Sequence, residues 1–150
     1  MTYAAPIVEQ AFVLDTIAGI DSLATLPAYS EVDRNLVATI LKEGRRLTSE
    51  VFAPLNTIGD REGLIWSPEA VRHPAGFAEA YATYVEGGWQ ALSAEPEFGG
   101  QGVPLALSIA FGEQLASANM AFSLCMILSS GAVEALSGCR RAGPVGFERG

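Results

Sequence analysis

Between Glu113 and Glu134 the chain carries no charged residue. A stretch of that length has two natural homes: a lipid bilayer, which takes about 20 apolar residues, or the interior of a helical protein. Gln114, Ser117, Asn119, Ser123, Ser129 and Ser130 interrupt it, and it lacks flanking basic and aromatic anchors. It therefore reads as a buried helix rather than a membrane span. Its last part, from about Met120 to Leu136, has Phe122, Leu124, Cys125, Met126, Ile127, Leu128 and Val133 distributed all round. A helix without a polar face needs cover on every side. A chain of 150 residues keeps much of its surface wet, so this helix implies packing partners beyond its own sequence.

Proline, glycine and apolar spacing organise what precedes it. Pro6 suits the start of a helix, where its missing N–H costs nothing; Ile7, Val8, Ala11, Phe12 and Leu14 follow, and Gly19 can stop it. Ser30 is placed to cap a second helix. Its face is Val32, Leu36, Ile40, Leu47 and Val51, widened by Val37 and Leu41. Pro54 is expected to end it near Ala53, since proline disfavours helical geometry in the residue before it. Residues 56–63 have the composition of a turn. Ser67-Pro68-Glu69 suits a short helical turn, and Pro74 opens a helix with Phe77, Tyr81, Tyr84 and Val85 on one face, closed by Gly87-Gly88. After an irregular stretch over 89–104, Leu107, Phe111, Leu115 and Ala118 mark another helix, which Asn119 breaks or caps. There is no convincing strand and no internal repeat. The expected fold class is all-α, a bundle of about six helices.

Half of the residues are apolar (49%), which excludes a disordered chain. The net charge of −8 leaves no basic footprint for nucleic acid. Cys125 lies in an apolar run and reads as a small core residue; with Cys139 it makes no disulfide framework. Residues 1–6 show no signal-peptide pattern, so a cytoplasmic location is expected. Residues 137–150 lose all periodicity and turn rich in Gly and Arg. The chain thus divides into a helical domain over 1–136 and an irregular tail over 137–150.

Chemistry is sparse. His73 is the single histidine, precedes a proline and has no second ligand at metal spacing, so no metal is expected. Gly99-Gly100-Gln101-Gly102 matches neither phosphate-loop pattern and reads as a turn launching the next helix, although a helix N-terminus there could face an anion. Glu113 and Glu134 read as solvated helix-end carboxylates rather than a buried base. The residues alone describe a helical domain without a complete active site. A small interaction module that uses exposed apolar surface is the alternative to an enzyme.

Several segments in order carry a resemblance: Tyr3-Ala4-Ala5-Pro6, Ala53-Pro54-Leu55-Asn56, Gly59-Asp60-Arg61-Glu62-Gly63, Gly87-Gly88-Trp89, Glu97-Phe98-Gly99-Gly100-Gln101-Gly102 and Asn119-Met120-Ala121-Phe122. Together, over roughly residues 3 to 136, they resemble the N-terminal helical domain of acyl-CoA dehydrogenases. The nearest subgroup is the larger enzymes similar to 3-methylmercaptopropionyl-CoA dehydrogenase. The resemblance implies FAD-dependent α,β-dehydrogenation of an acyl-CoA thioester. A glutamate takes the α-proton, the flavin accepts the hydride, and an electron acceptor and a homo-oligomer complete the system. It also implies that the base and the flavin motif lie in later domains, so no catalytic residue is expected here and no flavin-binding residue is assigned. What this domain would supply is part of the acyl pocket, from the helix after Glu113-Gln114-Leu115-Ala116: Ser123, Leu124, Met126, Ile127 and Leu128. The family continues helical after Leu136, whereas this sequence departs from it. The expectation is a truncated fragment, inactive alone, with an out-of-frame tail from near Ser137.

Overall fold

The middle of the chain forms one long rod. Helix α3 (Arg34–Leu47) passes through a wide π-turn, Thr48–Phe52, straight into α4 (Ala53–Glu62). The computed structural model, which describes residues 3–142, thus corrects two expectations. Pro54 does not end the helix: it sits in the first turn of α4, and Ala53 keeps helical angles of φ −60° and ψ −40°. The π-turn supplies the extra residue that takes up the ring and its missing N–H. Residues 56–62 are therefore helical rather than a turn, and Gly63, at φ 62°, makes the stop. The N-cap is Asp33, whose Oδ1 accepts from the Leu36 N–H at 2.7 Å. Ser30 instead donates back to the Pro27 carbonyl at 3.2 Å.

Two short helices precede the rod. α1 (Ile7–Phe12) continues through a second π-turn, Val13–Ile17, and Gly19 at φ 62° turns the chain into α2 (Ile20–Leu23). A small antiparallel hairpin follows the rod, β1 (Ile65–Trp66) with β2 (Val71–Arg72), pairing Ile65 with Arg72 and Trp66 with Val71. Ser67-Pro68-Glu69 belongs to its loop and not to a helical turn; the Ser67 N–H donates to the Ala70 carbonyl at 2.9 Å. α5 (Phe77–Glu86) ends at Gly87 and Gly88, as expected, but of its expected face Tyr81 and Val85 are exposed. α6 (Leu105–Ala118) buries Leu107, Phe111, Leu115 and Ala118, the face read from the sequence.

Asn119 breaks the helical path with φ −156° and ψ 92°. Its Oδ1 accepts from the Phe122 N–H at 3.0 Å and starts α7 (Met120–Ala142). Its Nδ2 donates to the Phe52 carbonyl at 3.3 Å, which fixes the α6–α7 corner against the π-turn of the rod. α7 runs past the expected end near Leu136, and residues 143–150 of the expected tail lie outside the described residues. The fold class is all-α as expected, with the two-residue strands as its one departure among the described residues.

The core is apolar and aromatic. Phe52 and Leu107 are fully buried, and the Phe52 ring packs on Phe122 at 4.5 Å and on Tyr84 at 6.4 Å. α7 is covered on one side alone: Phe122, Ser123 and Met126 are buried, while Leu124, Ile127, Leu128, Val133 and Leu136 are exposed. Met120–Gly138 is long and apolar enough to cross a membrane by length and composition, with 17% of that span buried. Cys125, expected in the core, is exposed on this uncovered side.

Candidate functional site

A groove of about 370 Å³ runs between α6 and α7 and is closed at its base by α5 and the turn after it. Its floor is aromatic. The Trp89 ring stacks on Phe111 at 4.4 Å and 27°, and Tyr84 lies near Phe111 at 6.3 Å and 21°. Gly88, at φ 70°, is what turns the chain so that Trp89 reaches Phe111. Leu105, Ile109 and Leu115 from α6 face Met126 and Ile127 from α7 across the groove. Burial raises the Tyr84 phenol to about 12, helped by Tyr81 and Cys125 nearby, so the floor is uncharged at neutral pH.

The five residues expected to line a pocket divide by helix geometry. Ser123, Met126 and Ile127 stand at i, i+3 and i+4, share one stripe, and line the groove. Ser130 and Glu134 extend that stripe toward the mouth. Leu124 and Leu128 fall on the next stripe, outside the lining, at 55% and 77% exposure. Ser123 is 2% exposed and its Oγ donates to the Met120 carbonyl at 2.8 Å, so its hydroxyl proton is spent within its own helix. Tyr84 and Phe111 had been read from sequence as residues of apolar helix faces, and Trp89 as the start of an irregular stretch. Helical spacing from Ser123 would have found Ser130, but no local signal brings Trp89 onto α6.

Other candidate chemistry falls away on inspection of its partners. The glycine-rich turn has its amides committed: Gly100, Gln101, Gly102 and Val103 donate to the carbonyls of Glu95, Ala91, Ala94 and Leu92 at 2.9 to 3.1 Å. A phosphate or flavin pyrophosphate would find no free N–H cradle in that turn, so the described residues do not fit a flavin there. His73 is exposed, and no group of three metal-ligating residues occurs among the described residues. Glu113 accepts from Gln10 Nε2 at 3.1 Å. A second hollow, beside Phe12, Ile20 and Val37, is rimmed by Arg34 bridging Asp15 at 3.2 Å and Asp21 at 2.6 Å. These ion pairs are exposed and screened by solvent, so they add little to stability.

The groove can take an extended apolar group; the polar side chains in its described lining are those of Tyr84, Gln90, Ser93, Ser108, Ser123, Ser130 and Glu134. Its lining is hydrophobic with a few polar groups at the mouth, which is the usual make-up of a small-molecule site.

No family model matches the chain. Over 137 residues, or 91% of its length, it is 39% identical to a 3-methylmercaptopropionyl-CoA dehydrogenase of Ruegeria pomeroyi, of which this stretch makes up 23%. Over 121 residues, or 79% of its length, it is 27% identical to a broad-specificity linear acyl-CoA dehydrogenase, FadE5, of Mycobacterium tuberculosis, covering 20% of that protein. The chain spans less than a quarter of the length of these curated relatives. Both are acyl-CoA dehydrogenases, which shows the relationship that the motifs had pointed to.

Proposed function

We propose that this chain, a relative of the acyl-CoA dehydrogenases, supplies one wall of the acyl pocket of an FAD-dependent enzyme that oxidises an acyl-CoA thioester across its α,β-bond. The observation that carries the reading is the aromatic-floored groove, built where the sequence places the expected pocket helix and lined by Ser123, Met126 and Ile127. An aliphatic chain laid along Trp89, Phe111 and Met126 would bury apolar surface at roughly 25 cal/mol per Å². The flavin, when bound, would accept the hydride; the protein's part here is to position the acyl chain for it.

The chain does no redox chemistry alone in this reading. Its glycine-rich turn offers no flavin cradle, since the amides of that turn are already bonded to carbonyls of its own loop. The α-proton acceptor, the flavin site and the electron acceptor's docking surface belong to other parts of a complete, cytoplasmic, homo-oligomeric enzyme. The division into a helical domain over 1–136 and an out-of-frame tail over 137–150 is part of the same proposal, with α7 carrying across that boundary to Ala142.

The test is a dye-reduction assay with added FAD and acyl-CoAs of increasing length, run beside calorimetric titration of the same thioesters. The expected result is saturable binding without turnover. Steady dye reduction by the isolated chain would overturn the division of labour, and absence of binding would overturn the groove assignment.

A second reading is favoured by one observation. Leu124, Leu128 and Leu136 are exposed along α7, an apolar stripe of the kind that marks a protein-docking surface. In that reading the chain is a small helical interaction module without enzymatic activity. A strictly monomeric species over a wide concentration range, with no thioester bound, would leave neither reading standing.

A further inference from the structure

The polar side chains of α7 are set toward the groove, and its outer side is apolar. Ser123, Ser130 and Glu134 line the groove, and Ser137 lines a small recess beside it. On the far side Leu124, Cys125, Leu128, Ala132, Ala135 and Leu136 are all exposed. With Gly131 they share an arc of roughly 140° that no polar residue interrupts, and Ser129 falls just beyond its edge. A surface helix has the opposite arrangement, with its apolar stripe on its own core and its polar side in water. The 19 residues Met120–Gly138 carry this face over about 28 Å.

We propose that the outer face of α7 pairs with the same face of a second copy of this chain, the two helices running antiparallel. The inference rests on the interaction-module reading above and names its partner; it leaves the groove open, since the groove lies on the other side of α7. The order of side-chain sizes along the face argues for a copy of itself. Leu124 and Leu128 come first, and Gly131, Ala132 and Ala135 follow. A two-fold axis between Ser129 and Ser130 then sets each Leu128 over the partner copy's Gly131, and each Leu124 over its Ala135. A Cβ built on Gly131 meets nothing within 4 Å, so the position has room for a leucine from outside. Large against small in both directions is the self-complementarity that a two-fold contact requires, and a lipid surface would need no such order. The area suffices for a reversible dimer. Leu124, Leu128 and Leu136 are 55%, 77% and 72% exposed. The whole face offers on the order of 600 Å² per copy, so a pair hides up to about 1,200 Å², the lower limit of specific interfaces.

The experiment is sedimentation equilibrium of the full chain over a wide concentration range, with circular dichroism showing that each variant keeps its helices. A monomer–dimer equilibrium is expected. Leu128→Glu is expected to raise the dissociation constant more than about tenfold, because its carboxylate would be buried without a partner. Gly131→Leu is expected to weaken pairing too, by setting leucine against leucine. Leu128→Gly combined with Gly131→Leu in one chain is expected to restore it, because each leucine again meets a glycine. Added salt is expected to tighten the pair, since each copy carries a net charge of −8 and the paired face carries none. A dimer that Leu128→Glu leaves intact overturns this pairing, while the interaction-module reading survives on another surface. Gly131→Leu pairing as tightly as the parent chain overturns the antiparallel register. A chain that stays monomeric at every concentration overturns the pairing and the interaction-module reading together, and coating of phosphatidylcholine vesicles by that monomer would assign the face to lipid instead.

Discussion

Gln114 Nε2 donates to Gln10 Oε1 at 2.7 Å, joining the first helix to the sixth through two amides that are 1% and 5% exposed. Gln114 also donates to the Leu41 carbonyl at 3.3 Å, and Gln10 Nε2 donates to the Ala110 carbonyl at 3.0 Å. Three helices are thereby pinned in register behind the α6 face that carries Phe111 into the groove. Replacing Gln114 by Leu keeps the bulk but strands Gln10 Oε1 and removes a donor from Leu41. The expected cost is about 1–3 kcal/mol, read as a lower urea midpoint with an unchanged slope.

Gly44 lies where this network is tightest. A Cβ there would stand 2.7 Å from Gln114 Oε1 and 3.0 Å from Phe111 Cδ2. Gly44→Ala gains roughly 1 kcal/mol of helix propensity but overpacks a site that neither neighbour can leave freely. The net expectation is a loss of about 1–2 kcal/mol. Combined with Gln114→Ala, which vacates the space, the same substitution should cost far less than it does alone. A double-mutant cycle by chemical denaturation measures the difference.

Gly112 behaves in the opposite way. It lines the groove, lies within α6, and a Cβ built on it meets nothing within 4 Å. Gly112→Ala should stabilise the chain by about 1 kcal/mol through helix propensity. Gly112→Leu should do the same and also fill the groove, abolishing thioester binding in the calorimeter. A stabilised Gly112→Leu chain that binds as before would place the ligand elsewhere.

The buried phenol gives a pH signature. An unperturbed tyrosine ionises near 10.0, whereas Tyr84 is pushed up to about 12 in the fold. Folding therefore favours the neutral form. That stabilisation is full below pH 10 and is lost as pH rises through 10 toward 12. Absorbance at the phenolate band should show Tyr84 titrating late, with Tyr3, which burial also raises, shifted in the same direction, and Tyr84→Phe should remove the Tyr84 step and flatten the alkaline decline in stability.

What the sequence disclosed and what it hid follow from the range of the forces involved. The face of α6 and the cap at Asn119 were legible because both depend on spacing within a few residues: Leu107, Phe111, Leu115 and Ala118 repeat at helical period, and Asn119 caps its own next turn. Pro54 was misread because the local rule against a helical residue before proline is outweighed by a π-turn, and that turn is held by Asn119 bonding to Phe52 from far along the chain. Asp33 took the cap from Ser30 because Pro27 drew Ser30 into a tight turn of its own. In the groove, Ser123, Met126 and Ile127 share a stripe that helical spacing could have separated from Leu124 and Leu128. The floor could not be read at all, since Trp89 meets Phe111 through tertiary packing across an irregular stretch. Cys125 and the far side of α7 were expected to be buried on composition, which records what a helix needs and not what this chain has to cover it.

The claim at the centre of this account is that an acyl chain lies along the α6–α7 groove. Photolabelling measures it most directly, using an acyl-CoA with a diazirine at the end of its aliphatic chain and mass-spectrometric mapping of the adducts. The account expects adducts on Phe111, Met126 and Ile127 that excess octanoyl-CoA suppresses. Labelling confined to Leu124, Leu128 and Leu136 on the outer face of α7, or labelling that no competitor suppresses, would contradict it.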